Sequence, residues 1–306
     1  MMHLLSLADL KREELRELLK KGADVKKHHE KYKDALHQRS LLTIFETTSL
    51  RTKLSFDVAM TQMGGHAIDY ALSESTLGKK ESMKEFAGCA SRYVDGIAAR
   101  LFDHKQLEEM ARFSSVPVIN AMTNYEHPCQ ILGDLMTIEE KFGRLTGLKL
   151  AYFGDGLNNV TYSLMYGCAL AGVDITVASP KGKAYAPEKE VIRKAEKTSE
   201  ISGSTIKVTT NPAEAAKGAD IVYTDSWMSY RIPHSKEKSR IKVFKPFQVN
   251  AALMKRTNNA LFMHCLPAKR GHEVTDDVID GKSSIIFQQA ENRLHIQKAI
   301  LLKLLK

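Results

Sequence analysis

Residues 148–178 read LKLAYFGDGLNNVTYSLMYGCALAGVDITVA. The apolar run Leu148–Phe153 predicts a strand, the glycine-containing turn after it leads into a helical pattern over 159–171, and Asp174–Ala178 predicts a second strand. A strand, a helix and a strand in this order form a βαβ unit, in which the two strands lie parallel. The stretch therefore predicts an α/β fold built on a parallel sheet.

The same alternation extends in both directions from this stretch. Before it, helical patterns near 52–63, 82–93 and 105–113 separate four expected strands, which are Leu42–Phe45, His66–Tyr70, Gly96–Arg100 and Pro117–Asn120. After it, further strands are expected at Thr205–Thr209, Asp220–Thr224, Leu261–His264 and Ile285–Phe287. A charged amphipathic helix is expected over 9–36, and a mostly apolar helix from Glu291 to Lys306. This order predicts two mostly parallel sheets, each flanked by helices.

The length of 306 residues suggests two domains, since a domain typically has roughly 100–200 residues. No Pro/Ser-rich linker separates them, so the junction is expected at the helix around 130–143. This division gives a first domain of residues 1–142 and a second domain of residues 143–288. The last helix, 289–306, is expected to return to the first domain.

Composition argues against several classes of protein. The chain carries 45 Lys and Arg against 36 Asp and Glu, a net charge of +9, but the two signs are interspersed and no basic stripe with aromatics occurs, which argues against nucleic-acid binding. No apolar run reaches the ~18–20 uncharged residues of a membrane span and no signal peptide is visible, so a cytoplasmic protein is expected. The cysteines show no CxxC spacing, which predicts four reduced thiols, three of them in the core, and no structural zinc.

Residues 46–53, ETTSLRTK, lie between an expected strand and an expected helix. Hydroxyls and backbone N–H groups at a helix N-terminus, with Arg51 and Lys53 beside them, form an anion cradle in which the helix dipole and the side-chain charges act together. The alternative is an ordinary Ser or Thr N-cap beside a solvated Arg51. The segment is a candidate phosphate site.

Polar residues also follow two other expected strands of the first half. Arg100 ends one strand, and His127 and Gln130 lie at the turn between another strand and an apolar helix. A single histidine is usually structural. Because the carboxyl ends of parallel strands meet at one edge of a sheet, however, we expect these side chains to face the same ligand-binding edge.

Three segments of the second half leave alternatives open. Loop 153–159 suggests a dinucleotide site, but Asn159 stands where the GxGxxG pattern needs its third glycine, so an NAD-dependent oxidoreductase is the less favoured alternative. Trp227, which lies between polar residues after an expected strand, is equally a candidate core residue. His264-Cys265 suggests a thiol nucleophile, but neighbouring side chains of a strand point to opposite faces, which argues against this pair.

Four segments taken together resemble, in order and spacing, the signature of the carbamoyltransferases, and most closely the ornithine branch of that family. They are Ser49-Leu50-Arg51-Thr52, His127-Pro128-Cys129-Gln130, Asp225-Ser226-Trp227-Met228-Ser229 and His264-Cys265-Leu266-Pro267. Asn158-Asn159 and Ala290-Glu291-Asn292-Arg293 extend the resemblance over essentially the whole chain. The His-Cys-Leu-Pro run favours the ornithine branch, because the aspartate branch usually has His-Pro-Leu-Pro.

The resemblance implies an amino-terminal carbamoyl-phosphate domain, a carboxyl-terminal amino-acid domain and a homotrimer, or a multiple of it, with active sites at subunit interfaces. It implies transfer of the carbamoyl group of carbamoyl phosphate to the δ-amino group of L-ornithine, giving L-citrulline and phosphate in arginine biosynthesis. The residue types suit this reaction without a metal or an organic cofactor, because carbamoyl phosphate is already activated.

The resemblance also implies roles for individual residues. The phosphate contacts are Ser49, Leu50, Arg51 and Thr52, and the residues around the carbamoyl group are Arg100, His127, Gln130, Cys265, Leu266 and Arg293. The ornithine contacts are Asn159, Asp225, Ser229 and Tyr230. Asp225, His264 and Cys265 orient the attacking amine, and Lys80 matches a loop that reaches a neighbouring subunit.

Four positions, in three places, depart from the ornithine pattern. Leu50 stands where Thr is usual, a form shared with enzymes that carbamoylate N-acylated ornithines, and Lys53 replaces an Arg. Tyr230-Arg231 replaces the usual Met-Gly in the loop that closes over the amino acid. A carbamoyltransferase acting on N-acylated ornithine, putrescine or aspartate is therefore the alternative, although Asp225 and Asn159 favour a free α-amino group. Neither an oxidoreductase nor a non-catalytic binding protein explains the convergent polar strand ends.

Overall fold

A computed structural model of the chain describes residues 2–70, 80–228 and 232–306. The chain divides into two compact units, one formed by the residues up to Met136 together with Ala290–Lys306, and one formed by Thr137–Gln289. Most of the last helix therefore belongs to the first unit, which confirms the predicted return of the chain.

The first unit contains a four-stranded parallel sheet in the order β2-β1-β3-β4. Its strands are β1 (Ser40–Phe45), β2 (His66–Tyr70), β3 (Gly96–Arg100) and β4 (Val118–Met122). Its helices are α1 (Arg12–Lys27), α2 (Leu50–Gln62), α3 (Met83–Ala90), α4 (His104–Phe113) and the larger part of α5 (Pro128–Phe142), with short 3-10 helices at Leu7–Asp9 and His29–Tyr32. The strand order reverses between β1 and β3, and in open α/β sheets ligands bind beyond the carboxyl ends of such strands.

The second unit contains a five-stranded parallel sheet in the order β7-β6-β5-β8-β9. Its strands are β5 (Lys149–Phe153), β6 (Asp174–Ala178), β7 (Ile206–Thr209), β8 (Ile221–Thr224) and β9 (Leu261–Met263). Its helices are α6 (Asn159–Ala171), α7 (Lys189–Ser202), α8 (Pro212–Ala216), α9 (Glu237–Phe244), α10 (Ala251–Met254) and α11 (Asp276–Ile279), with 3-10 helices at His234–Lys236 and Lys245–Phe247. The reversal of strand order here lies between β5 and β8.

Burial explains why the central elements read as apolar runs. Every residue of α6 is buried, so its sequence shows no polar face. In the first unit, Ile44, Ile97 and Ala99 of the central strands lie in the core with residues of α3 and α4. A parallel sheet that is covered on both faces buries its strands in this way.

Most predicted elements are confirmed, and β2, β3, β6 and α6 have the predicted bounds. The predicted strand Ile285–Phe287 is wrong, because α12 (Ile286–Leu305) begins there. Only one bridge, between Phe262 and Ser284, precedes it. The Ile285 carbonyl then accepts the Gln289 N–H over 2.9 Å, which is a helical hydrogen bond rather than a sheet bond.

The predicted helix over 9–36 is shorter in the structure. The helix α1 ends at Lys27, because His28 leaves the helical region (φ −128°, ψ 45°) while its N–H still bonds the Asp24 carbonyl. None of the described helices is long and apolar enough to cross a bilayer. The four cysteines, all within the described ranges, are free thiols, and two of them rather than the predicted three are buried, namely Cys129 and Cys168.

Candidate active site

The turn after β1 leads directly into α2, whose first turn carries the predicted phosphate residues. Ser49 is the N-cap of α2, but among the described residues its hydroxyl makes no capping hydrogen bond, which argues against an ordinary serine cap. Thr52 is buried, whereas the side chain of Leu50 is 68% exposed. The N–H groups of a helix N-terminus and the positive end of its dipole favour an anion at this turn.

Arg100 ends β3, next to the turn after β1. It pairs with Phe45 in the sheet register, and its carbonyl accepts the Glu46 N–H over 2.9 Å. The Arg100 Nε donates to Thr47 Oγ1 over 3.0 Å. These contacts hold a guanidinium beside the turn that leads into α2.

His127 lies immediately before α5, and its residue surface is 6% exposed. Burial lowers the pKa of the His127 imidazole well below its usual value, and the positive charges of Arg293, Arg100 and Arg51 lower that pKa further. The imidazole is therefore neutral at neutral pH and can donate one N–H to a ligand oxygen. The structure brings together His127 and three arginines of the predicted carbamoyl-phosphate set.

Arg293 of α12 connects two other residues of the same set. Its guanidinium donates to the side-chain oxygen of Gln130, and its Nη2 donates to Thr52 Oγ1 over 3.1 Å. The Gln130 amide in turn donates to the buried carboxylate of Asp134 over 2.8 Å. Sequence reasoning missed Asp134, although its place one helical turn after Gln130 was a usable signal.

In the second unit, Asp225 follows β8 and receives two hydrogen bonds from predicted site segments. Asn158 Nδ2 donates to Asp225 Oδ2 over 3.0 Å, and the Cys265 thiol donates to Asp225 Oδ1 over 3.1 Å. Asn158 also caps α6, because its Oδ1 accepts the Val160 N–H over 2.7 Å. The sequence favoured Asn159 as the ornithine contact, whereas in this structure Asn158 is the residue bonded to Asp225.

His264 and Cys265 lie just after the end of β9 at Met263, so the alternation of side chains along a strand does not apply to them. Donor atoms of Asp225, His264 and Cys265 lie within 4.8 Å of one another. The expectation that the two neighbours point to opposite faces was wrong for this reason. The proximity still does not make His264 Nδ1 a base for Cys265, because this nitrogen accepts the Leu266 N–H over 2.8 Å.

The buried His264 ring has an orienting environment. Its backbone N–H donates to Gln289 Oε1 over 3.0 Å, and its Nε2 lies 3.5 Å from a carboxylate oxygen of Glu273. Leu266 has a positive φ of 58°, an uncommon conformation for a branched residue. His264 therefore shapes the turn that carries Cys265 and Leu266.

A thiol, an imidazole and a carboxylate at this spacing are donor types that can hold Zn²⁺. Both oxygens of Asp225 and the Nδ1 of His264 already accept hydrogen bonds within the chain.

The turn 154–158 differs from a dinucleotide loop. A Cβ on Gly156 would lie 2.6 Å from the Tyr185 carbonyl oxygen, so this glycine serves packing within the chain rather than the approach of a pyrophosphate.

The remaining predicted site residues are placed as follows. Lys80 is exposed, and Leu266 and Cys265 are half-buried. Ser229 and Tyr230 lie outside the described residues. The described part of the chain thus contains one cluster of candidate residues in each unit.

Comparison with known families also divides the chain into two parts, although the second part includes most of the last helix. The pattern described as "Aspartate/ornithine carbamoyltransferase, carbamoyl-P binding domain" matches residues 2–140, and the pattern described as "Aspartate/ornithine carbamoyltransferase, Asp/Orn binding domain" matches residues 146–304. Together they span nearly the whole chain.

Individual proteins are also similar over their full length. Ornithine carbamoyltransferase of Methanocaldococcus jannaschii is 48% identical over 98% of this chain and 97% of its own. A relative from Thermoplasma acidophilum, named ornithine carbamoyltransferase, catabolic, is 45% identical over 99% of this chain and 98% of its own. The solved structure of ornithine carbamoyltransferase from Pyrococcus furiosus is 43% identical, with a TM-score of 0.94 over 99% of this chain and 96% of that chain. The chain belongs to the aspartate/ornithine carbamoyltransferase family, and it is a transferase.

Proposed function

We propose that this enzyme transfers the carbamoyl group of carbamoyl phosphate to the δ-amino group of L-ornithine, giving L-citrulline and phosphate. The observation that carries the proposal is the buried, neutral His127 surrounded by Arg51, Arg100 and Arg293. Guanidinium groups suit a nearly dianionic phosphate, and a neutral N–H donor suits the carbonyl oxygen next to it. The relatives named ornithine carbamoyltransferase support the same pair of substrates.

The first substrate needs positioning and charge stabilisation rather than further activation, because carbamoyl phosphate is a mixed anhydride. When the uncharged amine nitrogen attacks the carbonyl carbon, the C–N bond forms and negative charge moves to the carbonyl oxygen. We assign donation to this oxygen to Arg100, His127 and the Thr52 hydroxyl. Collapse of the intermediate breaks the bond to phosphate, whose charge Arg51 and the N-terminus of α2 stabilise, and a phosphate oxygen takes the proton that the amine loses.

The second substrate must present its δ-nitrogen as a free amine. An alkylammonium has an ordinary pKa near ~10.4, so at neutral pH only about one molecule in a thousand carries the reactive form. We assign ornithine to Asn159, Asp225, Ser229 and Tyr230. The hydrogen bonds from Asn158 and Cys265 hold the Asp225 carboxylate in one orientation, where it can accept from an ammonium or an amine.

The experiment that tests this proposal measures ureido product from carbamoyl phosphate with ornithine, N-acetylornithine, putrescine and aspartate side by side. Turnover with ornithine alone is the expected result. Preference for N-acetylornithine would instead give weight to the exposed Leu50 and to Tyr230-Arg231, the departures from the ornithine pattern. An absence of product with all four amines would contradict the proposal.

We also propose a homotrimer, or a multiple of it. Among the described residues, the sheet of the first unit ends at the edge strand β2, where Ile68 is exposed, and α2 presents the exposed Leu50 and Leu54. Exposed apolar residues next to an open sheet edge favour a protein interface. Light scattering with size-exclusion chromatography tests this assembly, since the single chain has a mass of 34.3 kDa. Lys80, which is exposed, is the residue proposed to reach the neighbouring subunit.

Two finer points of the proposal concern the biological setting. We assign the enzyme to arginine biosynthesis in the cytoplasm, with citrulline as the product. The alternative is the catabolic direction, in which citrulline is consumed, because one relative is named ornithine carbamoyltransferase, catabolic. Rescue of an arginine-requiring strain that lacks its own enzyme tests the biosynthetic direction.

A further inference from the structure

The buried guanidinium of Arg240 connects two loops of the second unit. Its Nε donates to the Trp227 carbonyl oxygen over 2.7 Å, and its Nη2 forms an ion pair with the carboxylate of Asp155. Arg240 is 6% exposed and Asp155 is 1% exposed. Trp227 lies in the loop after β8, and Asp155 lies in the loop after β5, so one side chain of α9 holds both loops.

These two loops also carry candidate residues for the amine substrate. Asn158 of the β5 loop donates to Asp225 of the β8 loop over 3.0 Å. The loops are therefore connected twice, once through Asn158 and Asp225 and once through Arg240. The loops follow the two strands between which the order of the sheet reverses, which is the usual ligand-binding place of such a sheet.

Aromatic rings pack against the Arg240 guanidinium and against Trp227, at one end of the connection. The guanidinium carbon lies 4.7 Å from the ring centre of Phe244 and 5.6 Å from that of Tyr185. The Trp227 ring stacks on Phe244 at 5.8 Å and on His272 at 6.3 Å. A planar fork of donors can bond a carbonyl and a carboxylate at once, whereas a lysine ammonium at the same place is a point charge without that geometry.

We propose that Arg240 is a positioning residue for the amine substrate. By holding the Trp227 carbonyl and the Asp155 carboxylate, it fixes the distance between the two loops, and with it the place of Asp225 relative to Asn158. The inference rests on the proposed function for the identity of the amine, but the connection between the loops can be measured in the free protein. Neither Arg240 nor Asp155 belongs to the proposed substrate contacts.

Steady-state kinetics test the role in substrate binding. We expect Arg240→Met to raise the KM for ornithine about tenfold or more, which is the usual effect of losing a buried charge-assisted hydrogen bond, and to change the KM for carbamoyl phosphate less than about twofold. Arg240→Lys keeps the charge without the fork and should give an intermediate rise. Arg193→Met is the matched control, because Arg193 makes an exposed ion pair with Glu190 on α7.

Tryptophan fluorescence tests the connection without a substrate. Trp227 is the single tryptophan of the chain, so the emission of the free protein reports on this loop alone. We expect a red-shifted emission and faster quenching by acrylamide in Arg240→Met and Arg240→Lys, and the parent spectrum in Arg193→Met. At pH 8.5, above the pKa of Asp155, Asp155→Asn keeps the shape of the side chain but removes its charge, and should shift the emission in the same direction by a smaller amount.

The outcomes separate the two proposals. An unchanged KM for ornithine in a folded Arg240→Met protein would overturn the positioning role, as would an equal rise of the KM for both substrates. If the parent enzyme uses another amine, the proposal of ornithine as the second substrate is wrong. The KM for that other amine in Arg240→Met then tests the positioning role of Arg240. If Arg240→Met does not fold, Arg240→Lys and Asp155→Asn provide the test. Emission and quenching like those of the parent in both variants would show that Arg240 does not hold the two loops.

Discussion

Arg293 and Gln130 lie 163 positions apart in the sequence, and the guanidinium of the first donates a hydrogen bond to the side-chain oxygen of the second. The contact is close because position 133 is a glycine, where a Cβ would lie 3.1 Å from the Arg293 side chain. The same guanidinium also donates to Thr52. A residue of the last helix therefore holds two proposed carbamoyl-phosphate residues in place.

Replacing Arg293 with lysine should lower kcat/KM for carbamoyl phosphate by ~10²-fold or more, because lysine cannot bond Gln130 and Thr52 at the same time. Initial-rate kinetics at varied carbamoyl phosphate measure this change. Lys303→Gln is the control, since Lys303 lies on the same helix in a surface ion pair with Glu17. Equal kcat/KM values for the two variants would contradict the role of Arg293.

Removing the side chain of Arg51 should reduce turnover by ~10²–10³-fold while the fold stays intact, because this half-buried residue lies in the first turn of α2, where we place the phosphate. Calorimetric titration with carbamoyl phosphate and a thermal melt of Arg51→Ala measure binding and folding separately. The exposed Arg112 of α4 offers the control substitution Arg112→Ala. Activity close to the parent in Arg51→Ala would refute the phosphate role.

His127 predicts how stability changes with acid. Its pKa in the folded protein lies well below the ordinary value near 6.5, so as the pH falls below about 6.5 the unfolded chain binds a proton first and stability falls. This one group changes the free energy of unfolding by at most ~1.4 kcal/mol per pH unit. Urea unfolding from pH 7.5 to pH 4.5 should show a steeper loss for the parent than for His127→Gln. Parallel curves for the two proteins would rule out a buried neutral imidazole.

Asp155 predicts the opposite pH dependence. Burial raises the pKa of its carboxyl to about 7, and Arg240 offsets only part of this rise. The unfolded chain loses the Asp155 proton near its ordinary pKa of ~3.9, whereas the folded chain keeps it to a higher pH. This group therefore stabilises the folded protein at low pH, and its contribution to the free energy of unfolding disappears as the pH rises towards 7. The stability of the parent relative to Asp155→Asn should therefore decrease from pH 5 to pH 7.5. No change over that range would show a carboxylate that stays ionised throughout.

The four thiols should differ in reactivity. Cys89 is exposed and should react first with iodoacetamide, whereas Cys129 and Cys168 are buried and should not react in the folded protein. Burial raises the pKa of the Cys129 thiol to about 12, which removes its thiolate at neutral pH. Peptide mapping by mass spectrometry gives the labelled positions, and modification of Cys265 should slow when ornithine and phosphate are present. Fast labelling of Cys129 would contradict the buried site.

The fold could be predicted wherever a repeating pattern was long or strongly apolar. The helix α6 is buried throughout and the strands β3 and β6 are mostly buried, so the limits of their sequence patterns coincide with the limits of the elements in the structure. The prediction of a strand at Ile285–Phe287 was wrong because three apolar residues fit a strand and a helix equally well. Only the contact of Ser284 with Phe262 and the helical bonds that follow decide between the two.

The candidate site was predictable where a single residue or a strand end carries the signal. Arg100 and His127 lie at the turns where the alternation of strands and helices placed them. Asp134 and Arg240 were not found, and Asn158 was named only as part of the resemblance, because their partners are side chains or backbone groups that only the folded chain brings near. Periodicity predicts which face of an element is buried, but not which polar groups meet there.

The first unit is interrupted in the sequence, since Ala290–Lys306 joins the residues that precede Thr137. A chain emerging from the ribosome therefore makes its anion-binding turn early and receives Arg293 only after the whole second unit has been synthesised. Until then, Gln130 and Thr52 lack the guanidinium that bonds them both. We expect nascent chains that end before α12 to expose an incomplete first unit, so translation itself delays the moment at which carbamoyl phosphate can bind.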